Sequence, residues 1–482
     1  MTGRAGPGAR TPDARPPDAR TAGDQALDHR ARDELAPGGG APDPTVPAAA
    51  DGARWPVPAL VWTAVALVVW GGLIAWGRSW GLELLRDGVK ILLPTPPVLG
   101  EPAPGWRPGL LVPIVVGAAL VAALPWLARR LPWRSLLWAV VGLAAAWAVA
   151  VALVDGPDGL TRGPSWSTEY GHDVPVVAED PGGFLRRFPD DIDRYEIHVR
   201  GHPPAHVLTL AAMDRVGLRG HGWEAALVIA GGASAAAAVL LAVRDVAGEA
   251  VARAAAPFLV LAPAAIWIAT SADALFAGTS AWAVTALVLA TSSTGRRQVV
   301  LAALGGLVAS VAVMQSYGMV LVGTIPLAVA VWRRQPRPLL VGAAAAVAGV
   351  VAWVPFGFWW FDGLAATRHE YEVLDLDRPR LYFAVNNLAA WGLALGPAVA
   401  VALARLRDRR LWLLVGGGVA AVALADASGL SEAEVERIWL PFTVWVLAAG
   451  AVLAARAVEQ RVWLGAQVVA TVAVVTWITT QW

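Results

Sequence analysis

Long apolar runs, almost free of charge, recur along the chain and constrain its fold more than any other feature. Most of them approach the roughly 20 residues that a helix needs to cross a bilayer. A charged side chain at mid-membrane costs about 2.5–3.5 kcal/mol, which explains why charges are excluded from such segments. The sequence therefore predicts an all-α, polytopic transmembrane helical bundle. Its thirteen or so spans are expected near 56–77, 109–128, 135–154, 223–243, 254–271, 273–291, 298–314, 316–332, 338–356, 384–404, 411–425, 437–455 and 462–480.

Composition agrees with a membrane protein and excludes several classes of function. Only 16% of residues are charged, against about 25% in ordinary soluble domains. The net charge of +1 gives no electrostatic basis for binding nucleic acid. Cysteine is absent, which excludes disulfides, zinc–thiolate sites and a cysteine nucleophile.

Two regions divide the chain. Residues 1–54 are rich in Pro, Gly, Ala, Arg and Asp and contain almost no large apolar side chain. Such a segment buries too little surface to offset its chain entropy. The sequence predicts a disordered tail at 1–54, followed by a transmembrane region at 55–482.

Arginine-rich connections alternate with longer or tighter ones that carry fewer basic residues. The positive-inside rule places the basic connections in the cytoplasm. This predicts a multi-pass protein of the cell membrane with a cytoplasmic N-terminus and with the long loop 155–222 outside. The arginines that carry this prediction are Arg129, Arg130, Arg134, Arg244, Arg253, Arg296, Arg297, Arg333, Arg334, Arg337, Arg405, Arg407, Arg409, Arg410, Arg456 and Arg461.

Ionisable residues are essentially absent from the span interiors, and Glu224, Asp273 and Arg437 stand only at predicted outer ends. Ion-coupled transporters usually need such groups at mid-membrane. The loop 155–222 instead holds most of the acidic and histidine residues, which indicates chemistry at the membrane surface.

Two carboxylates of this loop are candidates for a general base. Asp155 directly follows an apolar span, so a rigid element holds it at the membrane surface. Glu169 lies between Trp166 and Tyr170, and aromatic neighbours indicate partial burial, which raises the pKa of a carboxylic acid. Because the residues favour neither position decisively, both remain candidates.

The loop ends in a segment with a partly apolar face. Residues 202–218 begin with His202-Pro203-Pro204, and the prolines suit the first turn of a helix. The pattern predicts an interfacial helix that lies along the outer leaflet, with His202 at its start.

The order of these features resembles the GT-C glycosyltransferases. These include protein mannosyltransferases, the aminoarabinose transferases of lipid A and actinobacterial arabinofuranosyltransferases. The resemblance rests on Glu169-Tyr170, on His202-Pro203-Pro204, and on Thr270 to Phe276 with Asp273 at a later hairpin. It covers roughly residues 135–335. Where the family often has an Asp-Glu pair before the tyrosine, this chain has Thr168-Glu169, so the resemblance leaves the base open between Asp155 and Glu169.

The resemblance implies a sugar donor carried on a polyprenyl phosphate. The acceptor would be a glycan, lipid or protein of the cell envelope, reached on the extracytoplasmic face. A cation must hold the departing phosphate, and arginine does so with a planar fork. Arg437, Arg200 and Arg368 are the main candidates for this role, with Arg380 as another. His202, Tyr170 and Asp273 are the other expected substrate-binding residues.

Other functions are compatible with parts of this pattern. A transporter or flippase for a lipid-linked glycan, or a non-catalytic membrane scaffold, would also show many spans and polar outer loops. No metal-ligand spacing stands out, although the loop histidines leave a divalent metal open as a cofactor.

Overall fold

The computed structural model describes residues 2–3, 57–373 and 379–480, so the predicted tail at 1–54 lies almost wholly outside the described residues. Within the described part, ten helices are long and apolar enough to cross a membrane. The chain is therefore a multi-pass, all-α membrane protein. These helices are Val57–Arg86, Leu111–Arg130, Trp133–Ala152, His221–Ala247, Ala272–Thr291, Gly295–Gln315, Pro336–Val351, Arg380–Arg405, Arg409–Ser428 and Ala457–Trp477.

Three of the predicted spans are not single long helices, so the count of thirteen is not confirmed. The run at 254–271 forms helix Glu249–Val260 and a separate 3₁₀ turn, Pro263–Trp267. The run at 316–332 is a 3₁₀ turn, Tyr317–Gly323, followed by helix Thr324–Arg333. The run at 437–455 divides into Val435–Ile438, Leu440–Val446 and a 3₁₀ turn, Leu447–Leu453. Proline contributes to these breaks, because Pro263 and Pro441 stand at the first positions of new elements and cannot donate to a preceding turn.

Small residues bring the spans close together. A Cβ atom at Gly278 would overlap the backbone of Gly231, so helices His221–Ala247 and Ala272–Thr291 are in backbone contact. A Cβ at Gly306 would likewise meet the carbonyl group of Gly342 on helix Pro336–Val351. In lipid, where apolar burial drives association weakly, close backbone approach of this kind supplies much of the packing energy.

The basic connections meet at one end of the bundle, which we call the basic end. Arg333 pairs with Asp245 at 2.7 Å, and Arg405 pairs with Glu459 at 2.6 Å. Arg253 donates to the carbonyl oxygen of Leu131 at 2.9 Å. These contacts bring several of the basic connections together, while the side of the membrane on which this end lies stays a prediction.

The opposite end, which we call the loop end, carries the polar segments 87–107, 156–220, 357–373 and 429–439. A short antiparallel pair of strands, Glu101–Pro102 with Ile478–Thr479, ties the first of these segments to the end of the described chain. The segment predicted as an interfacial helix at 202–218 is helical only over Ala205–Arg215, so His202 and Pro203 precede the helix. Its apolar face, including Val207 and Leu210, packs against the protein. The other short elements at this end are helices Arg162–Ser165, Val174–Glu179, Pro181–Arg187, Ile197–Arg200 and Trp360–Val373, and 3₁₀ turns Pro108–Leu110, Leu153–Asp155, Pro157–Leu160, Tyr170–His172, Ile192–Arg194 and Val354–Phe356.

Helix Arg380–Arg405 is interrupted at Gly396. This glycine has φ 76° and ψ 169°, a conformation that residues with a Cβ atom rarely adopt, and Pro397 follows it. The buried side chain of Gln467 spans the break: its amide nitrogen donates to the carbonyl of Leu395 at 2.8 Å, and its oxygen accepts from the backbone N–H of Ala398 at 3.1 Å. The backbone groups freed by the break are thus satisfied inside the bundle.

Candidate functional site

A cluster of buried charged side chains lies at the loop end, where three distant parts of the chain meet. Glu169 and His198 come from the long loop, Asp273 from the start of helix Ala272–Thr291, and Glu434 and Arg437 from the segment 429–439. Glu169, Asp273 and Arg437 are at most 4% exposed. Burying ions is costly unless they are paired, so this arrangement must be held by specific contacts.

Arg437 is the centre of this cluster. Its Nη1 lies 2.5 Å from Oδ2 of Asp273, and its Nη2 contacts the carboxylate of Glu434. Burial disfavours the guanidinium cation, but the carboxylates of Glu434 and Asp273 outweigh that effect and raise the pKa of Arg437. Arg437 therefore supplies a permanent positive charge beneath the loop.

Asp273 is placed by the local geometry of a helix start. Ser271 caps this helix, accepting a hydrogen bond from the backbone N–H of Asp273 at 3.2 Å and donating to its carboxylate at 3.0 Å. A carboxylate in the first turn also interacts favourably with the helix dipole. Two independent effects thus fix the carboxylate that anchors Arg437.

His198 connects Arg437 to the loop as a neutral ring. Its Nδ1 lies 2.8 Å from the carbonyl oxygen of Thr168, and its Nε2 lies 2.6 Å from Nη2 of Arg437. Only the tautomer with hydrogen on Nδ1 satisfies both contacts, because a carbonyl accepts and a guanidinium donates. Burial, together with repulsion from Arg437, lowers the pKa of His198 to about 4.

Glu169 lies beside this histidine. Its Oε1 is 3.5 Å from Nδ1 of His198, and its carboxylate interacts electrostatically with Arg437. With Asp273 and Glu434, three carboxylates surround one cation, while His198 is neutral. The cluster therefore carries a net charge of −2 (one positive and three negative groups) when all three carboxylates are ionised.

Tyr170 packs against a row of histidines at one side of the cluster. Its ring centroid lies 6.0 Å from those of His198 and His202 and 4.5 Å from that of His206. The ring of His202 is neutral at neutral pH, because burial lowers its pKa to about 4. Burial and the nearby carboxylates of Asp273 and Glu169 raise the pKa of Tyr170, so its hydroxyl stays protonated.

The candidate residues predicted from sequence fall into two groups. Glu169, Tyr170, His202, Asp273 and Arg437 come together in this cluster. Asp155, Arg200 and Arg368 lie outside it.

Each of the three outlying candidates has its own surroundings. Asp155 accepts from Arg107 and Arg162, both at 2.5 Å. Arg200 pairs with Glu370 at 3.3 Å, which ties the loop to helix Trp360–Val373, and Arg368 is exposed on that helix.

Two members of the cluster were not among the site residues inferred from sequence. His198 is one of several loop histidines, and nothing in its spacing marks it. Glu434 has φ 58°, and Ala433 before it has φ 72°, a left-handed conformation that the sequence does not signal because neither residue is glycine. Within the described residues, no group of three or more His, Asp or Glu side chains is arranged to hold a metal ion.

In comparisons with known proteins, no protein-family model, curated protein or solved structure matches the chain.

Proposed function

We propose that this protein is a membrane glycosyltransferase that moves a sugar from a polyprenyl-phosphate donor to an acceptor at the loop end of the bundle. The observation that carries the proposal is the juxtaposition of a buried carboxylate, Glu169, with a buried cation, Arg437, at one end of a transmembrane bundle. A transfer of this type needs a base for the acceptor proton and a cation for the leaving phosphate.

In the proposed reaction, Glu169 accepts the proton of the attacking acceptor hydroxyl. The acceptor oxygen forms a bond to the anomeric carbon of the sugar as the bond between that carbon and the phosphate oxygen breaks. The electron pair leaves with the lipid phosphate, and the guanidinium of Arg437 stabilises the negative charge. The neutral ring of His198 orients Arg437 through Nε2.

Glu434 is the group that a donor phosphate would replace. Asp273 is almost wholly buried against Arg437, whereas the side chain of Glu434 is 29% exposed. Two consecutive non-glycine residues with positive φ hold Glu434 in this position, a conformation that costs about 1–3 kcal/mol per residue. A phosphodiester carries one negative charge, so its exchange for the Glu434 carboxylate leaves the charge of the cluster unchanged.

Glu169 is the better candidate for the base, and Asp155 fits a structural role. Asp155 is neutralised by Arg107 and Arg162 and lines a cavity of only ≈ 30 Å³. Both oxygens of this carboxylate already accept from guanidinium groups, Oδ1 from Arg107 and Oδ2 from Arg162, so neither is directed at an acceptor hydroxyl. Glu169 instead adjoins the cation that the leaving group requires.

The test is a transfer assay on purified protein in lipid nanodiscs, with a radiolabelled polyprenyl-phosphate sugar and candidate envelope acceptors. Glu169→Gln is expected to abolish transfer without lowering the thermal midpoint of unfolding. Asp155→Asn is expected to lower that midpoint while transfer persists in the folded fraction. Full transfer by Glu169→Gln would refute its assignment as the base, and loss of transfer by a folded Asp155→Asn variant would move that role to Asp155.

A further inference from the structure

A second polar feature lies at the loop end, in a cleft of ≈ 340 Å³ between helices Arg380–Arg405 and Arg409–Ser428. Its volume is within the range of about 300–1,000 Å³ that small-molecule sites occupy. Its polar lining comes from Arg380, Asn387, Asp426, Ser431 and Glu432. No step of the proposed transfer uses these groups.

Asn387 lines the cleft and carries a hydrogen-bond acceptor that has no donor. Its side-chain nitrogen donates to Oδ1 of Asp426 at 3.0 Å and to the carbonyl oxygen of Ser431 at 2.8 Å. Because both partners are acceptors, the amide must point its NH₂ group toward them. Its Oδ1 is then buried and accepts no hydrogen bond from any residue in the described part of the chain. A buried acceptor without a donor is costly, and because this oxygen is closed to the cleft, a ligand hydroxyl bonds to it only after the amide turns.

The charges of the cleft determine which ligand fits. Arg380 is exposed and forms no salt bridge with any residue that the structure describes. Asp426 and Glu432 each contribute a carboxylate to the lining beside this guanidinium. A neutral hydroxyl group can bond to all three of these groups, whereas an ionised phosphate can bond only to the guanidinium. The described residues also provide no third His, Asp or Glu ligand for a metal ion.

A neutral, hydroxyl-rich molecule matches these groups. Carboxylate and amide oxygens accept from hydroxyl groups, and a guanidinium donates to hydroxyl or ring oxygens. We propose that the cleft beside Arg380 and Asn387 binds a neutral sugar and is the subsite for a carbohydrate acceptor. The acceptor role rests on the proposed glycosyl transfer. The segment 429–437 links the two regions, because it contributes Ser431 and Glu432 to the cleft and Glu434 and Arg437 to the charged cluster.

The test measures sugar binding directly by saturation-transfer NMR and competition titration. The probes are methyl glycosides of mannose, glucose, galactose and arabinose, together with the matching sugar 1-phosphates, added to the full chain in neutral phosphatidylcholine nanodiscs. We expect at least one neutral glycoside to bind more tightly than its 1-phosphate. Arg380→Gln should weaken that binding about fivefold, since a charge-assisted hydrogen bond is replaced by a neutral one.

Arg86→Gln is the matched control, because Arg86 is an exposed arginine at the loop end outside the cleft. It should bind the glycoside like wild type. Equal binding by Arg380→Gln and wild type, no binding of any glycoside by wild type, or preference for the 1-phosphate would each overturn the sugar site. Asp426→Asn is a second test variant. It keeps the shape of the cleft and should also weaken glycoside binding.

The two proposals fail separately. Glu169→Gln should lose transfer but bind the glycoside normally. If wild type transfers no sugar while Arg380 still governs glycoside binding, the transferase function and the acceptor role fail and the sugar site stands. If transfer depends on Glu169 but Arg380→Gln binds and transfers normally, the cleft assignment fails and the transferase function stands.

Discussion

Replacing Glu434 by glutamine tests whether this side chain occupies the position of an anionic ligand on Arg437. The carboxylate contacts Nη2 of Arg437 and is 29% exposed, so it can leave toward solvent without breaking the buried pair of Arg437 with Asp273. Glutamine has nearly the same shape but contributes a neutral hydrogen bond. A hydrogen bond to a charged group contributes about 1.5–3 kcal/mol and a neutral one about 0.5–1.5 kcal/mol.

An incoming phosphate must displace this side chain from Arg437. In the glutamine variant that displacement costs about 1 kcal/mol less than in wild type. We therefore expect Glu434→Gln to bind a polyprenyl-phosphate sugar about fivefold more tightly than wild type. The dissociation constant is measured by titrating purified protein in nanodiscs with a fluorescent donor analogue, at two salt concentrations. Glu432→Gln is the control, because it removes the same charge two residues away, at a residue that lines the cleft.

Weaker donor binding by Glu434→Gln would refute this reasoning, because it would mean that the carboxylate helps to assemble the site. Unchanged binding would show that the donor phosphate does not bind at Arg437. A gain shared by Glu432→Gln would indicate a general effect of charge and not a displacement.

Three other predictions follow from the geometry. Reporter fusions at Arg334 and Pro181 should report opposite sides of the membrane, and the same side for both would refute the topology. Arg437→Lys keeps the charge but loses the fork, so it should weaken donor binding about tenfold, whereas Arg86→Lys should not. Burial raises the pKa of Glu436 to about 7, so the folded state holds this proton more tightly than the unfolded state and stability falls as pH rises from about 4.5 to 7. Glu436→Gln should therefore raise the thermal midpoint at pH 8 and have little effect at pH 4, and an equal effect at both would contradict that assignment.

The sequence predicts the long spans well because a bilayer imposes one strong rule, the exclusion of charge over about 20 residues. It fails where local backbone geometry decides the outcome. The run at 254–271 has the composition of a span, yet its helix ends at Val260 and a 3₁₀ turn follows at Pro263. Hydropathy does not distinguish a continuous helix from a broken one of equal apolarity.

For the site, short-range patterns identified individual residues but not their partners. Asp273 and Arg437 stand at span ends, where a charged residue in an apolar run is conspicuous. Their pairing joins positions 164 residues apart, and His198 meets Arg437 across 239 residues. Such contacts follow from how the spans pack, which periodicity does not encode. Glu434 was missed as a site residue for a different reason, since its left-handed backbone has no sequence signal.

The bridge made by Gln467 has a consequence for the order of biosynthesis. Helix Arg380–Arg405 leaves the ribosome before the residue that closes its break at Gly396, because Gln467 is 69 residues beyond Ala398. Until helix Ala457–Trp477 inserts, the backbone groups of Leu395 and Ala398 have no Gln467 to bond to, and unsatisfied groups of this kind are costly in hydrocarbon. The part of helix Arg380–Arg405 that lines the cleft is thus completed only when helix Ala457–Trp477 has inserted. A chain stopped before Gln467 is expected to remain a substrate for membrane quality control, however many of its spans have inserted.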